Sequence, residues 1–433
     1  MKGDNFQIIL IIVFLLAALI GVLVFSGAIP LGEDNEAGGQ GTVTVWGTLR
    51  TDIIYPLLEP FNSENPSYVT KYEQKSAETF DQDLLEAIAS GEGPDLVFLT
   101  DDLAFRYRNK VLVIPYQSYP SASFKQSFAG AGEVFLTNEG IVAFPLTIDP
   151  MVMFYNRSML DSNGIVYPPK DWEEFAAISA ALTKKDESNK IIKSGAALGH
   201  FSNVSHAKDI ISLLFMQAGN PIISRNDAGE LVSLLGNYQS KHSLESQLQY
   251  YLDFANPLKE VYSWNKSLPD SIEAFSREDL AFYFGYASEL MALVNKNPNQ
   301  NFLAAPVPQI KGEDAKVTMG RVMGIGIMAS SKNLNTAFVA AGSLSADPNF
   351  GKKLAQKLGV APARRDFMRD VPNDSFSPVF YNSALYAKTW SDPSDKETDS
   401  VFRNMIESVL SGSQTISEAI RDAGARIALL LLK

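Results

Sequence analysis

The 433 residues are enough for two lobes of ordinary domain size, and 46% hydrophobic with 20% charged residues fits a chain with a substantial core. A formal charge of −12 opposes binding to phosphate backbones, so nucleic acid is not an expected partner. The absence of cysteine excludes disulfides, thiolate metal sites, cysteine nucleophiles and a lipid-bearing cysteine; His200, His206 and His242 lack the spacing of a helical metal pair, so neither metal nor cofactor is expected.

In chain order, Ile8 to Phe25 is an uncharged apolar run of 18 residues. That is close to the roughly 20 residues that span a bilayer core and longer than the roughly 7–15 of a signal peptide's apolar region. Residues 1–28 are therefore either a retained membrane anchor or a segment cleaved after Ala28. Lys2 ahead of the run, with no Lys or Arg until Arg50, places the N-terminus in the cytoplasm and the body outside. Residues 29–41, polar and Gly-rich from Gly32 on, read as a flexible tether.

The body then alternates. Thr42–Trp46, Ser67–Glu73 and Asp95–Leu99 have strand composition, and Asp52–Phe61 and Phe80–Ala89 have helical spacing. Pro56 and Pro60 limit the first helix, and the Ser90-Gly91-Glu92-Gly93-Pro94 cluster ends the second. Such alternation predicts a mostly parallel sheet, whose ligands bind beyond the carboxyl ends of the strands. Trp46-Gly47-Thr48 and Thr100-Asp101-Asp102 fall at that edge. Pro145 inside Ile141–Ile148 marks an edge strand or a crossing segment. Asp171, with Glu174 three residues on, predicts a capped helix that opens at Trp172, read as a packing anchor. Further helices are expected at His206–Ala218, Leu248–Ala255, Ser271–Arg277, Thr336–Leu344, Phe350–Leu358, Thr398–Leu410 and Ile416–Leu431, and strands at Phe302–Val307 and Met323–Ala329.

The order of these motifs carries a resemblance. Ala89 to Asp95 leads into a strand; Phe144-Pro145-Leu146-Thr147-Ile148-Asp149 precedes Phe154-Tyr155-Asn156; Pro169 to Phe175 leads to Leu182-Thr183. Ala281 to Gly285, Ala305-Pro306-Val307-Pro308 and Ser411 to Ile420 follow. From about Thr42 to Lys433 the chain resembles the family 1 extracellular solute-binding proteins of ABC importers, the maltose-binding-like group. The resemblance implies an α/β, two-lobed periplasmic-binding-protein-like fold with three hinge crossings, here preceded by one transmembrane helix. It sets crossings near Thr147–Met151, Leu303–Pro308 and Ala361–Arg365, with one lobe from 42–148 and 304–363 and the other from 149–303 and 364–433. It implies no enzyme, a small-molecule solute and an ABC permease as partner, the membrane being reached through the N-terminal helix.

A cleft for a polar solute needs flat apolar faces and directed hydrogen-bond groups. Trp46, Trp264, Phe284, Tyr286 and Trp390 are candidates for the first, and Thr48, Ser76, Asp101, Asp102 and Asp149 for the second. Arg321 and Arg364 are candidates to pair an anionic group or, equally, ordinary salt-bridge partners. Aromatics with Asp and Asn fit a sugar or oligosaccharide, while an acidic cleft also admits a peptide or polyamine. A sensory or adhesive receptor of the same fold stays open, as does a surface glycoside hydrolase, although adjacent Asp101 and Asp102 do not provide a separated carboxylate pair and no nucleophile elbow or phosphate loop is present.

Overall fold

In the computed structural model, which describes residues 41–236 and 241–432, the first strands are β1 (Gly41–Gly47), β2 (Tyr68–Gln74) and β3 (Leu96–Thr100). The helix between the first two runs from Thr51 to Glu64 despite Pro56 and Pro60, because Ile54, Leu57, Leu58 and Phe61 bury one continuous face. The helix Phe80–Ser90 stops at Gly91, whose φ of 73° lies in the left-handed region that glycine adopts without a Cβ penalty.

The remaining main strands are β4 (Phe144–Asn156), β5 (Ile191–Ala196), β6 (Leu280–Tyr286), β7 (Phe302–Ala305) and β8 (Thr318–Ile327). They extend one sheet in the order β2-β1-β3-β8-β4-β6-β5. β1 and β3 are parallel, as are β5 and β6. The centre is not: β3–β8, β8–β4 and β4–β6 are all antiparallel. The expected mostly parallel sheet is thus corrected to a mixed one, because two long strands join two smaller α/β halves.

β4 is the hub of this arrangement. Its residues Phe144–Pro150 pair with β8, Met151–Tyr155 pair with β6 on one side and Met153–Asn156 with β7 on the other. Every residue of β4 except Asp149 is buried, as a run apolar on both faces requires. Pro145 lies in this central strand and not at a sheet edge. The ladder accommodates it with a register shift at Met323/Gly324, while the neighbouring Leu146 carbonyl accepts from the Ala363 amide at 2.9 Å. β8 begins five residues earlier than the Met323 expected from sequence, and β5 and β6 were read only as part of wider motifs or not at all.

The helix Trp172–Leu182 is capped by Asp171, which accepts from the Glu174 amide at 2.8 Å. Trp172 packs as an anchor, edge-on to Phe175 and 5.6 Å from Phe284 between ring centres. Its Nε1 donates to Gln217 at 2.6 Å, and Gln217 donates in turn to the Pro308 and Val317 carbonyls. The buried side of Ala207–Gln217 is thereby fixed to the segment between β7 and β8. At the C-terminus, Asp395–Leu410 and Ile416–Leu431 pack together, the second opened by a Thr415/Glu418 capping box. The expected anchor and the tether up to residue 40 lie outside the described residues. Among the described residues no helix is long and apolar enough to cross a membrane.

Candidate functional site

The carboxyl end of β3 meets the end of β6 and the start of three helices around a cavity of about 290 Å³. Thr100 closes β3, and Asp101 and Asp102 form the first turn of the short helix Asp101–Arg106. The Thr100 hydroxyl donates to Asp102 Oδ1 at 2.5 Å. Across the cavity the Thr389 hydroxyl donates to Asp101 Oδ2 at 2.5 Å. Burial pushes the Asp101 carboxyl up to about 7, with Asp102 adding to the rise and Thr389 opposing it.

The opposite wall is built on the first turn of Ala207–Gln217 and the end of β6. Tyr286, wholly buried, donates its hydroxyl to Asp209 Oδ2 at 2.9 Å. Arg321 of β8 donates to the same oxygen at 3.2 Å and lays its guanidinium 3.9 Å from the Tyr286 ring centre. Half of the Arg321 side chain stays exposed, so most of its donors remain open. Lys208 reaches Asp392 at 2.8 Å, Asp395 at 2.5 Å and Thr398 at 3.2 Å. Burial works against the Lys208 charge, but Asp392, Asp395 and Asp209 outweigh it and hold its pKa above the usual lysine value. Trp390 completes the wall, stacked on Phe402.

Of the residues singled out from sequence, the structure brings together Asp101, Asp102, Tyr286, Arg321 and Trp390. Asp149 stands directly opposite Arg321 in the β4–β8 ladder and accepts from the Ser288 amide and hydroxyl; burial raises its carboxyl to about 6. It backs the cavity without lining it. The others lie apart. Trp46 is buried at the end of β1 with the Lys75 ammonium 3.6 Å from its ring centre. Thr48 and Ser76 are exposed, the latter accepting from the Glu78 amide. Trp264 is wholly buried, and Phe284 packs between Trp172 and Phe175, so both are core residues in this structure. Arg364 forks onto Asp366 and lies near the Phe128 and Phe367 rings, the ordinary salt bridge of the two readings. A wider groove of about 820 Å³ beside the Ile223–Arg225 and Leu231–Ser233 hairpin gathers none of these residues.

Sequence reasoning missed Lys208, Asp209, Thr389, Asp392 and Asp395. The signal was present in part: Trp390 stands among three hydroxyls and two carboxylates in Thr389-Trp390-Ser391-Asp392-Pro393-Ser394-Asp395, at the start of a helix. The cavity as a whole offers an aromatic wall, hydroxyls, carboxylates and an open guanidinium. Among the described residues no group of three or more His, Asp or Glu side chains is arranged to hold a metal ion.

A family model described as bacterial extracellular solute-binding protein matches residues 47–349. A maltotriose-binding protein of Pyrococcus abyssi is 24% identical over 144 residues, 32% of this chain and 30% of that protein. A binding protein of Brucella abortus is 23% identical over 167 residues, 37% of this chain and 40% of the relative. The chain therefore spans less than half the length of the curated relatives it matches. Among solved structures, a cyclo/maltodextrin-binding protein complexed with maltotetraose superposes with a TM-score of 0.71 at 18% identity, covering 90% of this chain and 98% of that one. The GacH receptor of Streptomyces glaucescens, solved unliganded and with acarbose, gives 0.64 at 17% identity over 92% and 100%. At these identities the superpositions establish the two-lobed fold.

Proposed function

Because the chain belongs to the bacterial extracellular solute-binding protein family, we propose that it is the solute receptor of an ABC uptake system and closes two lobes on a sugar or short oligosaccharide. The observation that carries this reading is the cavity at the β3 and β6 strand ends, where Tyr286 and Trp390 stand beside hydroxyls, carboxylates and the open face of Arg321. Flat rings cover the apolar faces of a sugar while the polar groups meet its hydroxyls. At about 290 Å³ the cavity is at the small end of ligand sites, suited to one or two rings. The maltotriose-binding relative and the sugar-bound structural neighbours support the same class.

In this reading the lobes are residues 42–148 with 304–363 and 149–303 with 364–433. The hinge lies where β4 changes partners from β8 to β6, with the strand Phe302–Ala305 and the pair Ala361–Pro362 against β4 as the other crossings. The apolar run Ile8–Phe25 holds the receptor beside its permease, the body lying on the extracytoplasmic side.

A thermal-shift screen of the full chain, kept in a sugar-free zwitterionic detergent, tests the reading. A ligand present at 100 times its Kd adds about 2.7 kcal/mol to apparent stability, so a bound sugar raises Tm clearly. Shifts with peptides or polyamines and none with any sugar would sink it.

A further inference from the structure

The cavity holds more negative charge than its own cations balance. Asp101, Asp102, Asp209, Asp392 and Asp395 line it together with Lys208 and Arg321, a formal excess of three negative charges. Both cations are already engaged. Lys208 is paired with Asp392 and Asp395, and Arg321 with Asp209 while facing Asp149 across the ladder. Asp101 and Asp102 accept from neutral donors, the Thr389 and Thr100 hydroxyls and, at Asp101, a backbone amide, and neither forms an ion pair among the described residues. Two adjacent carboxylates at the mouth of a small, partly desolvated cavity repel each other unless a proton or a cation lies between them.

Resting on the sugar-site reading above, we propose that the solute is a basic sugar, whose protonated amine is received by Asp101 and Asp102. The cavity supplies what each part of such a molecule requires. Trp390 lines the wall for the ring, the exposed donors of Arg321 meet ring hydroxyls, and the uncompensated carboxylates meet the ammonium. A free carboxylate on the solute is disfavoured, because Arg321 is already paired with Asp209. An extended peptide exceeds a volume of about 290 Å³.

Titration calorimetry on the full chain in sugar-free detergent at pH 7 provides the test, with glucosamine, N-acetylglucosamine, glucose, the corresponding disaccharides and spermidine as probes. N-acetylation removes the charge and keeps the ring, so it isolates the ammonium. The aminated sugars are expected to bind at least tenfold more tightly than their acetylated and neutral counterparts. Asp102→Asn should remove that preference, so that the variant binds aminated and acetylated sugars within twofold of each other, and raised salt should narrow the gap in the unmutated protein. If neutral sugars bind as tightly as aminated ones, the inference is overturned and the sugar reading stands. If none of the sugars binds, or only spermidine does, the sugar reading itself falls.

Discussion

Burial pushes the Asp101 carboxyl up to about 7, against about 3.9 for an unfolded aspartate, and Asp149 shifts in the same direction to about 6. Each group binds its proton more tightly in the folded chain than in the unfolded one. Below pH ~4 both states are protonated and Asp101 makes no difference. Between pH ~4 and ~7 the unfolded state releases the proton first, so stability falls as pH rises, and the loss is complete above the folded value. Three units correspond to on the order of 4 kcal/mol at most, an upper bound because opening the cleft rehydrates the carboxylate. Asp101→Asn keeps an oxygen for the Thr389 hydroxyl and cannot ionise. Urea denaturation should find the variant equal to the unmutated protein near pH 4 and more stable at pH 8. A variant that is less stable at pH 8 would show that the ionised carboxylate is the favoured form.

The two helices that flank the cavity are held by one buried lysine. Lys208 belongs to Ala207–Gln217, and its partners Asp392 and Asp395 stand just before and at the start of Asp395–Leu410. The side chains of Lys208 and Asp392 are 8% and 12% exposed, so removing the cation leaves a carboxylate that water cannot rescue. Lys208→Met is expected to cost about 3–5 kcal/mol in urea unfolding, whereas adding Asp392→Asn should recover at least half of that loss. If the double variant is no more stable than the single one, the loss comes from packing and not from charge. The same pair shows where the sequence ran out. The apolar run of Ala207–Gln217 made the helix legible, but its partner carboxylate lies 184 residues away, and no local pattern links them. Asp101 and Asp102 were within reach because they stand just after a strand end, where an α/β sheet presents its ligand-facing groups, whereas Tyr286 was reached only as an aromatic residue. Trp264 showed the limit of composition: a loop tryptophan with polar neighbours reads like a cleft residue, and only the tertiary packing buries it. The long strands β4 and β8 were legible only in part, through Ile148 and from Met323, and their antiparallel pairing at the centre is a tertiary fact that alternation alone misassigns.

At the scale of the whole molecule, the Thr389–Asp101 hydrogen bond joins the loop before Asp395–Leu410 to the helix that follows β3, across the cavity. A solute can draw two lobes together only by as much as it binds the closed form better than the open one. Contacts between the lobes that do not touch the solute set the starting equilibrium. On the proposed lobe boundaries the Thr389–Asp101 bond is such a contact, and Thr389→Val removes it while keeping the side chain's shape. A net hydrogen bond of about 0.5–1.5 kcal/mol corresponds to a loss of roughly 2- to 12-fold in apparent affinity, because a smaller fraction of the free receptor is already closed. The complex, once saturated, should be as compact as that of the unmutated protein. Small-angle scattering should therefore show a larger radius of gyration for free Thr389→Val than for the free unmutated protein, and the same radius for both at saturating sugar. The closure model fails if the unmutated radius does not fall when sugar saturates it, and the assigned role of Thr389 fails if the variant's free radius and affinity are unchanged.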